Sequence, residues 1–219
     1  SAVSTGGATL ARQADGSWFA SGTRPEQDTY MITARLPAGK LTAVRLEVLA
    51  DDRLPQRGPG RWDNGNFHLS EFRAFVATNA ASTGATPIVF TSAVADYDEG
   101  PTISAAQAID GNDKTPWGVH PRYGETHAAV FYPKAAADYP ADSTITFLLE
   151  FRDGVTGHGL GRFRLATSDT PAAAGAFARL PSDIATILQT EVNARSLDER
   201  RQLALAVLKL ENQAAIAAL

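Results

Sequence analysis

The residues that build tight turns and aromatic cores stop well before the end of this chain. All 18 Gly, together with 3 Trp, 5 Tyr and 10 Phe, lie at or before Phe177, and the last Gly is Gly175. Short strands joined by tight turns depend on residues such as glycine. We therefore expect β structure over residues 1–168, followed by a linker and helices over residues 169–219.

Alternating apolar and polar residues predict short strands in the first part. In Thr42–Val48, one face of the strand carries Val44, Leu46 and Val48, while the other face carries charged side chains. The turn at Ala14–Gly16 predicts a hairpin. Similar strand patterns lie at Thr29–Leu36, Phe67–Ala77, Pro87–Thr91, His127–Tyr132, Thr144–Phe151 and Gly161–Ala166. About eight strands without intervening helices predict a mainly β fold, an antiparallel jelly-roll β-sandwich.

The last part of the chain has a helical pattern instead. Residues 181–188 predict a short helix, and Ser196 with Glu199 has the spacing of a capping box before a helix from Leu197 to the end. The two helices predict a C-terminal α-helical hairpin. An apolar stripe at helical spacing runs along the second helix through Leu203, Val207, Leu210 and Ala214.

Composition excludes several classes of function. The 20 Lys and Arg against 24 Asp and Glu give a formal charge of -4, so the chain lacks the basic surface that nucleic acids require. With no Cys, there are no disulfides, thiol nucleophiles or Cys-ligated zinc sites. No apolar run reaches the roughly 20 residues that cross a bilayer, which predicts no membrane insertion. Because the chain starts at Ser1 and stops within a helical pattern, we expect an excised segment of a longer protein.

The segment with most chemical content is Ala105–Trp117. Asp110, followed by a glycine, stands beside Asn112, Asp113 and Thr115, so several oxygens share one tight loop. Calcium takes six to eight such oxygen ligands. An Asx-type turn, in which Asp110 accepts hydrogen bonds from its own backbone, explains the same residues, and their types alone do not decide between the two.

The run Ala108–Trp117 resembles the Ala-Ile-Asp-Gly-Asn-x-x-Thr-x-Trp loop of the galactose-binding-like, discoidin-type β-sandwiches, which include many carbohydrate-binding modules. His68–Phe75 resembles the strand that completes the family's calcium site. The order of the two motifs is reversed, which a circularly permuted sandwich would explain. The resemblance implies a structural calcium ion bound by Gln107, Asp110, Asn112, Thr115, Ser70 and Glu71.

A narrower resemblance covers nearly the whole chain. Asp15–Gly22, Leu54–Arg61, Asn64–Phe67 and Leu160–Leu165 are similar to a module of large planctomycete-type proteins that also carry cytochrome-c-type domains. The resemblance implies a periplasmic or extracellular protein concerned with polysaccharide, with neighbouring domains as partners. The haem motif Cys-x-x-Cys-His is absent, because the chain has no Cys.

No motif argues for catalysis. The four His residues show neither the His-Glu-x-x-His pattern nor close pairing, and the serines lack a nucleophile-elbow context. Asp96, Asp98 and Glu99 are adjacent acids, a pattern more typical of a solvated loop than of the facing pair that glycoside hydrolysis needs. We therefore predict a protein that is not an enzyme.

Two predicted loops, residues 57–66 and 117–123, combine the types of side chain that bind sugars. Aromatic rings stack on the CH faces of sugars, while charged and amide groups bond the hydroxyls. We predict a non-catalytic carbohydrate-binding module that binds a polysaccharide or glycan. The alternative is a structural or partner-docking domain of a multidomain protein without glycan affinity. The predicted glycan site contains Trp62, Arg61, His120, Arg122 and Tyr123.

Overall fold

Two antiparallel sheets form the main body of the chain. The computed structural model describes residues 1–78, 84–170, 184, 187–188 and 190–206. The strands are β1 (Ala2–Ser4), β2 (Ala8–Arg12), β3 (Trp18–Gly22), β4 (Asp28–Arg35), β5 (Gly39–Leu41), β6 (Ala43–Val48), β7 (Glu71–Ala77), β8 (Thr86–Ile88), β9 (Phe90–Ala95), β10 (His127–Pro133), β11 (Ala137–Tyr139), β12 (Thr144–Phe151) and β13 (Arg162–Ser168). Short 3₁₀ helices lie at Pro55–Arg57, Gln107–Ile109 and Val192–Ala194. The predicted mainly β character is confirmed.

Every strand pairing among the described residues is antiparallel. One sheet has the order β1-β4-β12-β7-β8, and the other has the order β2-β3-β13-β6-β10-β9. The short strands β5 and β11 pair with each other. The predicted hairpin at Ala14–Gly16 is the connection between β2 and β3.

The apolar faces of both sheets share one hydrophobic core. The ring of Phe72 in the five-stranded sheet lies 4.2 Å from that of Phe131 in the six-stranded sheet, measured between centroids. Tyr30 stacks on Phe163 at 5.8 Å across the same core. The buried Tyr30 hydroxyl donates to the Leu160 carbonyl at 2.9 Å, so this polar group is not left unpaired in the core.

The long loops gather at one end of the sheets. In the five-stranded sheet this end is marked by Glu71, which pairs with Glu150 at the end of β12. The loops bond to each other: the His68 amide donates to the His158 carbonyl at 2.9 Å, and the Val119 amide donates to Asn66 Oδ1 at 3.0 Å. The connections are residues 23–27, 49–70, 96–126 and 152–161. Distant stretches of sequence are therefore brought together here.

The chain divides into two compact units, residues 1–178 and 179–219. In the second unit, residues 197–206 form a helix. Its predicted capping box is present, because the Ser196 amide donates to Glu199 Oε2 at 2.7 Å and the Glu199 amide donates to Ser196 Oγ at 3.2 Å.

Among the described residues, one continuous short helix is found where the sequence predicted a helical hairpin. Between Leu188 and this helix lies the 3₁₀ helix Val192–Ala194, and the Arg195 guanidinium donates to the carbonyls of Thr190 at 2.9 Å and Leu188 at 3.2 Å. Of the first predicted helix, residues 181–188, the structure describes Ile184, Ile187 and Leu188, which have helical geometry. Most of the first predicted helix lies outside the described residues, as do Val207, Leu210 and Ala214 of the predicted stripe.

Candidate functional site

The Asp110 loop, residues 107–117, brings its predicted oxygens close together. Asp110 Oδ1 accepts the Asn112 amide at 2.8 Å, so the Asx-type turn is present, with Gly111 at a φ of +81°. The Thr115 hydroxyl lies 2.8 Å from Asp110 Oδ2 and 2.8 Å from the Asn112 carbonyl. Three of the predicted calcium ligands therefore meet at one point of the loop.

Backbone contacts fasten this loop to the start of β7. The Leu69 and Trp117 backbones bond to each other twice, each N–H donating to the other carbonyl at 2.9 Å. The 3₁₀ helix Gln107–Ile109 packs against β7. The sequence predicted that Ser70 and Glu71 complete the metal site. Glu71 is the first residue of the strand that contacts the loop, and Ser70 directly precedes it.

Glu71 is almost fully buried, and one of its oxygens has no partner. The residue is 3% exposed, and its Oε1 makes no hydrogen bond. Burial raises the pKa of this carboxyl, while Arg73 and the backbone amide of Gly111 lower it. A buried acceptor without a donor is costly, so native structures rarely retain one without a reason. A cation beside Glu71 would supply the missing interaction.

The donor set suits calcium rather than zinc. Among the described residues, no group of three or more His, Asp or Glu side chains converges as a metal site. The predicted set has only two carboxylates, those of Asp110 and Glu71, and takes its other oxygens from backbone carbonyls and the Thr115 hydroxyl. Calcium accepts such mixed oxygen ligands, whereas zinc prefers nitrogen and sulfur.

The Arg61 guanidinium is engaged inside the protein. The residue is 8% exposed, and its two terminal nitrogens donate to the carbonyls of Thr23 at 2.9 Å and Gly22 at 2.8 Å. It therefore holds the end of β3 against the loop that carries Trp62. The sequence placed Arg61 in the glycan site, and the structure gives it these internal partners instead.

Trp62 belongs to a stack of rings that the sequence did not predict. Its ring lies 4.8 Å from that of His158, which in turn lies 4.4 Å from His68, and His68 Nδ1 is 2.6 Å from Asp153 Oδ2. Burial and the neighbouring His68 lower the pKa of His158. The Arg24 guanidinium lies 4.9 Å from the Trp62 ring, so this half-buried tryptophan is held by packing.

The other predicted glycan residues lie together with Tyr97, and the four form the Tyr123 cluster: Tyr97, His120, Arg122 and Tyr123. The His120 and Tyr123 rings stack at 5.6 Å, and the Arg122 guanidinium lies 5.0 Å from the Tyr97 ring. His120 and Arg122 are exposed, and Arg122 pairs with Glu125 at 2.5 Å. Sequence reasoning missed Tyr97, whose only signal was an aromatic residue among acids.

The acids near Tyr97 are used to hold the loop. His127 Nδ1 lies 3.0 Å from Asp96 Oδ2, and burial raises the pKa of Asp98. Each carboxylate accepts a hydrogen bond from a neighbouring segment: Asp96 from the Ala128 amide, Asp98 from the Ala105 amide and Glu99 from the Asn66 side chain. The nearby Asp96 carboxylate also raises the pKa of Asp98.

No protein-family model matches this chain, and no curated protein matches it in sequence. The interpretation of the loops therefore depends on their own geometry. None of the helices in the described part of the chain is long and apolar enough to span a membrane.

Proposed function

We propose that this chain is a non-catalytic carbohydrate-binding module that binds a polysaccharide and holds a structural calcium ion. The proposed fold is a galactose-binding-like, circularly permuted jelly-roll sandwich within a larger exported protein. Two antiparallel sheets around one core support it, as does the gathering of long loops at one end. Such loops are where a rigid sandwich carries a binding site.

The observation that carries the glycan proposal is the Tyr123 cluster. It presents the exposed ring of His120 and the half-buried ring of Tyr123 beside the forked donors of Arg122. A sugar ring stacks on an aromatic face while its hydroxyl or acidic groups accept from the guanidinium. We place Trp62 at the margin of this site, since its ring contacts His158 and Arg24.

The calcium proposal depends on Glu71. Gln107, Asp110, Asn112 and Thr115 would bind the ion from the loop, and Ser70 and Glu71 would bind it from the start of β7. The ion would neutralise the buried carboxylate whose Oε1 lacks a donor. Its role is structural, because it joins the Asp110 loop to the sheet next to the Tyr123 cluster.

Affinity electrophoresis tests glycan binding. In native gels that contain neutral or anionic polysaccharides, the wild-type chain should be retarded by at least one of them. Tyr123→Ala should weaken the interaction about tenfold, because it removes a stacking surface. Tyr139→Ala, in β11 and outside the loops, is the matched control and should remain retarded.

Two outcomes would change this proposal. Loss of retardation in Trp62→Ala with full retention in Tyr123→Ala would move the site to the stack of Trp62 and His158. An absence of retardation in every polysaccharide, with the fold verified by circular dichroism, would contradict glycan binding.

Chelation tests the calcium ion. At a hundredfold excess over the dissociation constant, calcium should stabilise the fold by about 2.7 kcal/mol and raise the melting temperature by about 5–10 °C. Asp110→Asn should abolish this response, because it keeps an Asx turn but removes the charge. Asp113→Asn, in the same loop and paired with Lys114, should retain it. Equal melting with chelator and with calcium would leave the Asx turn as the only role of Asp110.

A docking domain without glycan affinity is the second candidate. It is favoured by apolar side chains at the surface of the second unit, where Leu197 is 86%, Val192 is 64% and Leu205 is 50% exposed. Neighbouring domains of the parent protein would be the partners. In this case Leu197→Glu and Leu205→Glu would abolish binding to such a domain, and no polysaccharide would retard the wild-type chain.

A further inference from the structure

A cleft of about 720 Å³ opens between the two sheets. It lies toward the end opposite the long loops. Its lining includes Thr144 and Arg35, which pair at the start of β12, whereas Glu150 and Thr29 pair six residues further along β12, at the loop end. Its floor is apolar and comes from both sheets: Trp18, Ile32, Ile145, Phe147 and Leu165. This volume falls within the range of small-molecule sites, about 300–1,000 Å³.

The cleft exists because one hairpin is too short to cover it. Strand β3 pairs with β13 only at Arg162 and Phe163. The second half of β13, which contains Leu165 and Thr167, continues past the hairpin, and both residues line the opening. Trp18, at the end of the hairpin, is only half-buried. Leu165 is also half-buried, whereas Ile32, Ile145 and Phe147 are buried, so Trp18 and Leu165 supply the apolar surface that a ligand can reach at this edge.

Positive charge surrounds this apolar floor. Arg12 is directly opposite Trp18 in the pairing of β2 with β3, so both side chains lie on the same face of the sheet. Arg12 is exposed and has no hydrogen-bond or ion-pair partner among the described residues. Arg35 lines the other side, with a side chain 87% exposed and 3.8 Å from Asp142. None of the described residues that line the cleft is acidic.

We infer that this cleft binds a small amphipathic carboxylate, with its apolar tail against the floor and its carboxylate on Arg12. Removal of the tail from water supplies the affinity, and the guanidinium fork selects the acidic head. The inference goes beyond glycan binding, since the cleft shares no residue with the Tyr123 cluster.

Titration calorimetry with decanoate, below the concentration at which it forms micelles, tests the inference. The wild-type chain should bind decanoate saturably, bind decanol about tenfold more weakly, and show no binding of decyltrimethylammonium. Arg12→Gln should lower the affinity for decanoate to that for decanol. Ala34→Phe should weaken both ligands, because it adds a ring to an exposed position in the cleft.

Arg57→Gln is the matched control, since Arg57 is exposed, pairs with Asp52 and lies outside the cleft. It should bind decanoate as the wild type does. Absence of saturable decanoate binding, or binding that Arg12→Gln leaves unchanged, would overturn the inference. Retardation in polysaccharide gels should be the same for Arg12→Gln and wild type. The proposals for the cleft and for the glycan site can therefore be contradicted independently.

Discussion

The Asp110 loop and the Trp62 loop, residues 57–66, lie at the same end of the sheets but are held in different ways. In the Asp110 loop, oxygens converge on one point and Glu71 Oε1 beside them is left without a donor. In the Trp62 loop, the Arg61 guanidinium bonds to backbone carbonyls and the Trp62 ring is stacked on a histidine. An unpaired acceptor thus lies next to the first loop, whereas the second loop uses its functional groups for packing.

The largest expected effect tests how tightly the Trp62 loop is packed. A Cβ atom on Gly60 would lie 1.8 Å from the Asn66 carbonyl oxygen, which only a backbone shift can relieve. We expect Gly60→Ala to lower the free energy of unfolding by about 4 kcal/mol or more, measured by urea denaturation. Gly100→Ala is the control, because a Cβ there meets nothing within 4 Å. Equal stability of the two variants would show that the loop is loose.

The next effect separates a structural role of Arg61 from a ligand-binding one. Arg61→Gln removes the buried guanidinium together with its two hydrogen bonds. The Gly22 and Thr23 carbonyls then lack these donors. We expect a loss of about 2–3 kcal/mol in urea denaturation, with normal retardation of the folded fraction in polysaccharide gels. Unchanged stability together with lost retardation would show that Arg61 binds the glycan.

The ring stack predicts how stability depends on pH. His158 has a lowered pKa in the folded chain, so below its ordinary value of 6.5 the unfolded chain takes up a proton that the folded chain resists. The free energy of unfolding should therefore fall as the pH is lowered from 7 toward 5. His158→Phe keeps a ring beside Trp62 and should show a smaller decline, measured by urea denaturation at each pH.

His120→Phe is the control for this experiment, because His120 is exposed and lies in the Tyr123 cluster. It should retain the decline of the wild-type chain. A decline that is the same in His158→Phe and wild type would show that other groups cause it.

The smallest expected effect concerns Arg122. Its pair with Glu125 is exposed on both sides, with side chains 48% and 51% accessible. Arg122→Gln should change the free energy of unfolding by less than about 0.5 kcal/mol and still reduce retardation in polysaccharide gels. A stability loss comparable to that of Arg61→Gln would make Arg122 another packing residue.

The sequence predicted the main strands because alternation is a local property. The pattern at Thr42–Val48 appears as β6, which begins one residue later. The sequence did not predict β1, β5 and β11. Each has three residues, which is too short for an alternating pattern to be recognised. The order of strands was not predicted, since it is fixed by pairings between distant residues.

The two candidate sites differ in predictability for the same reason. The spacing of Asp110, Asn112 and Thr115 is local, and the structure brings these oxygens together. Arg61 was predicted to lie in the glycan site, but it donates to carbonyls of residues almost 40 positions earlier in the chain. Which groups a long side chain contacts depends on tertiary structure, and no local pattern records it.

The strand order also has a consequence for synthesis of the chain. Strand β12 joins β4 to β7, and β13 joins β3 to β6, so both sheets remain in separate parts until residues 144–168 are made. At ribosomal rates this stretch takes on the order of seconds, during which earlier strands present unpaired edges. A nascent chain that stops before β12 should therefore aggregate or bind chaperones instead of folding as a smaller two-sheet domain.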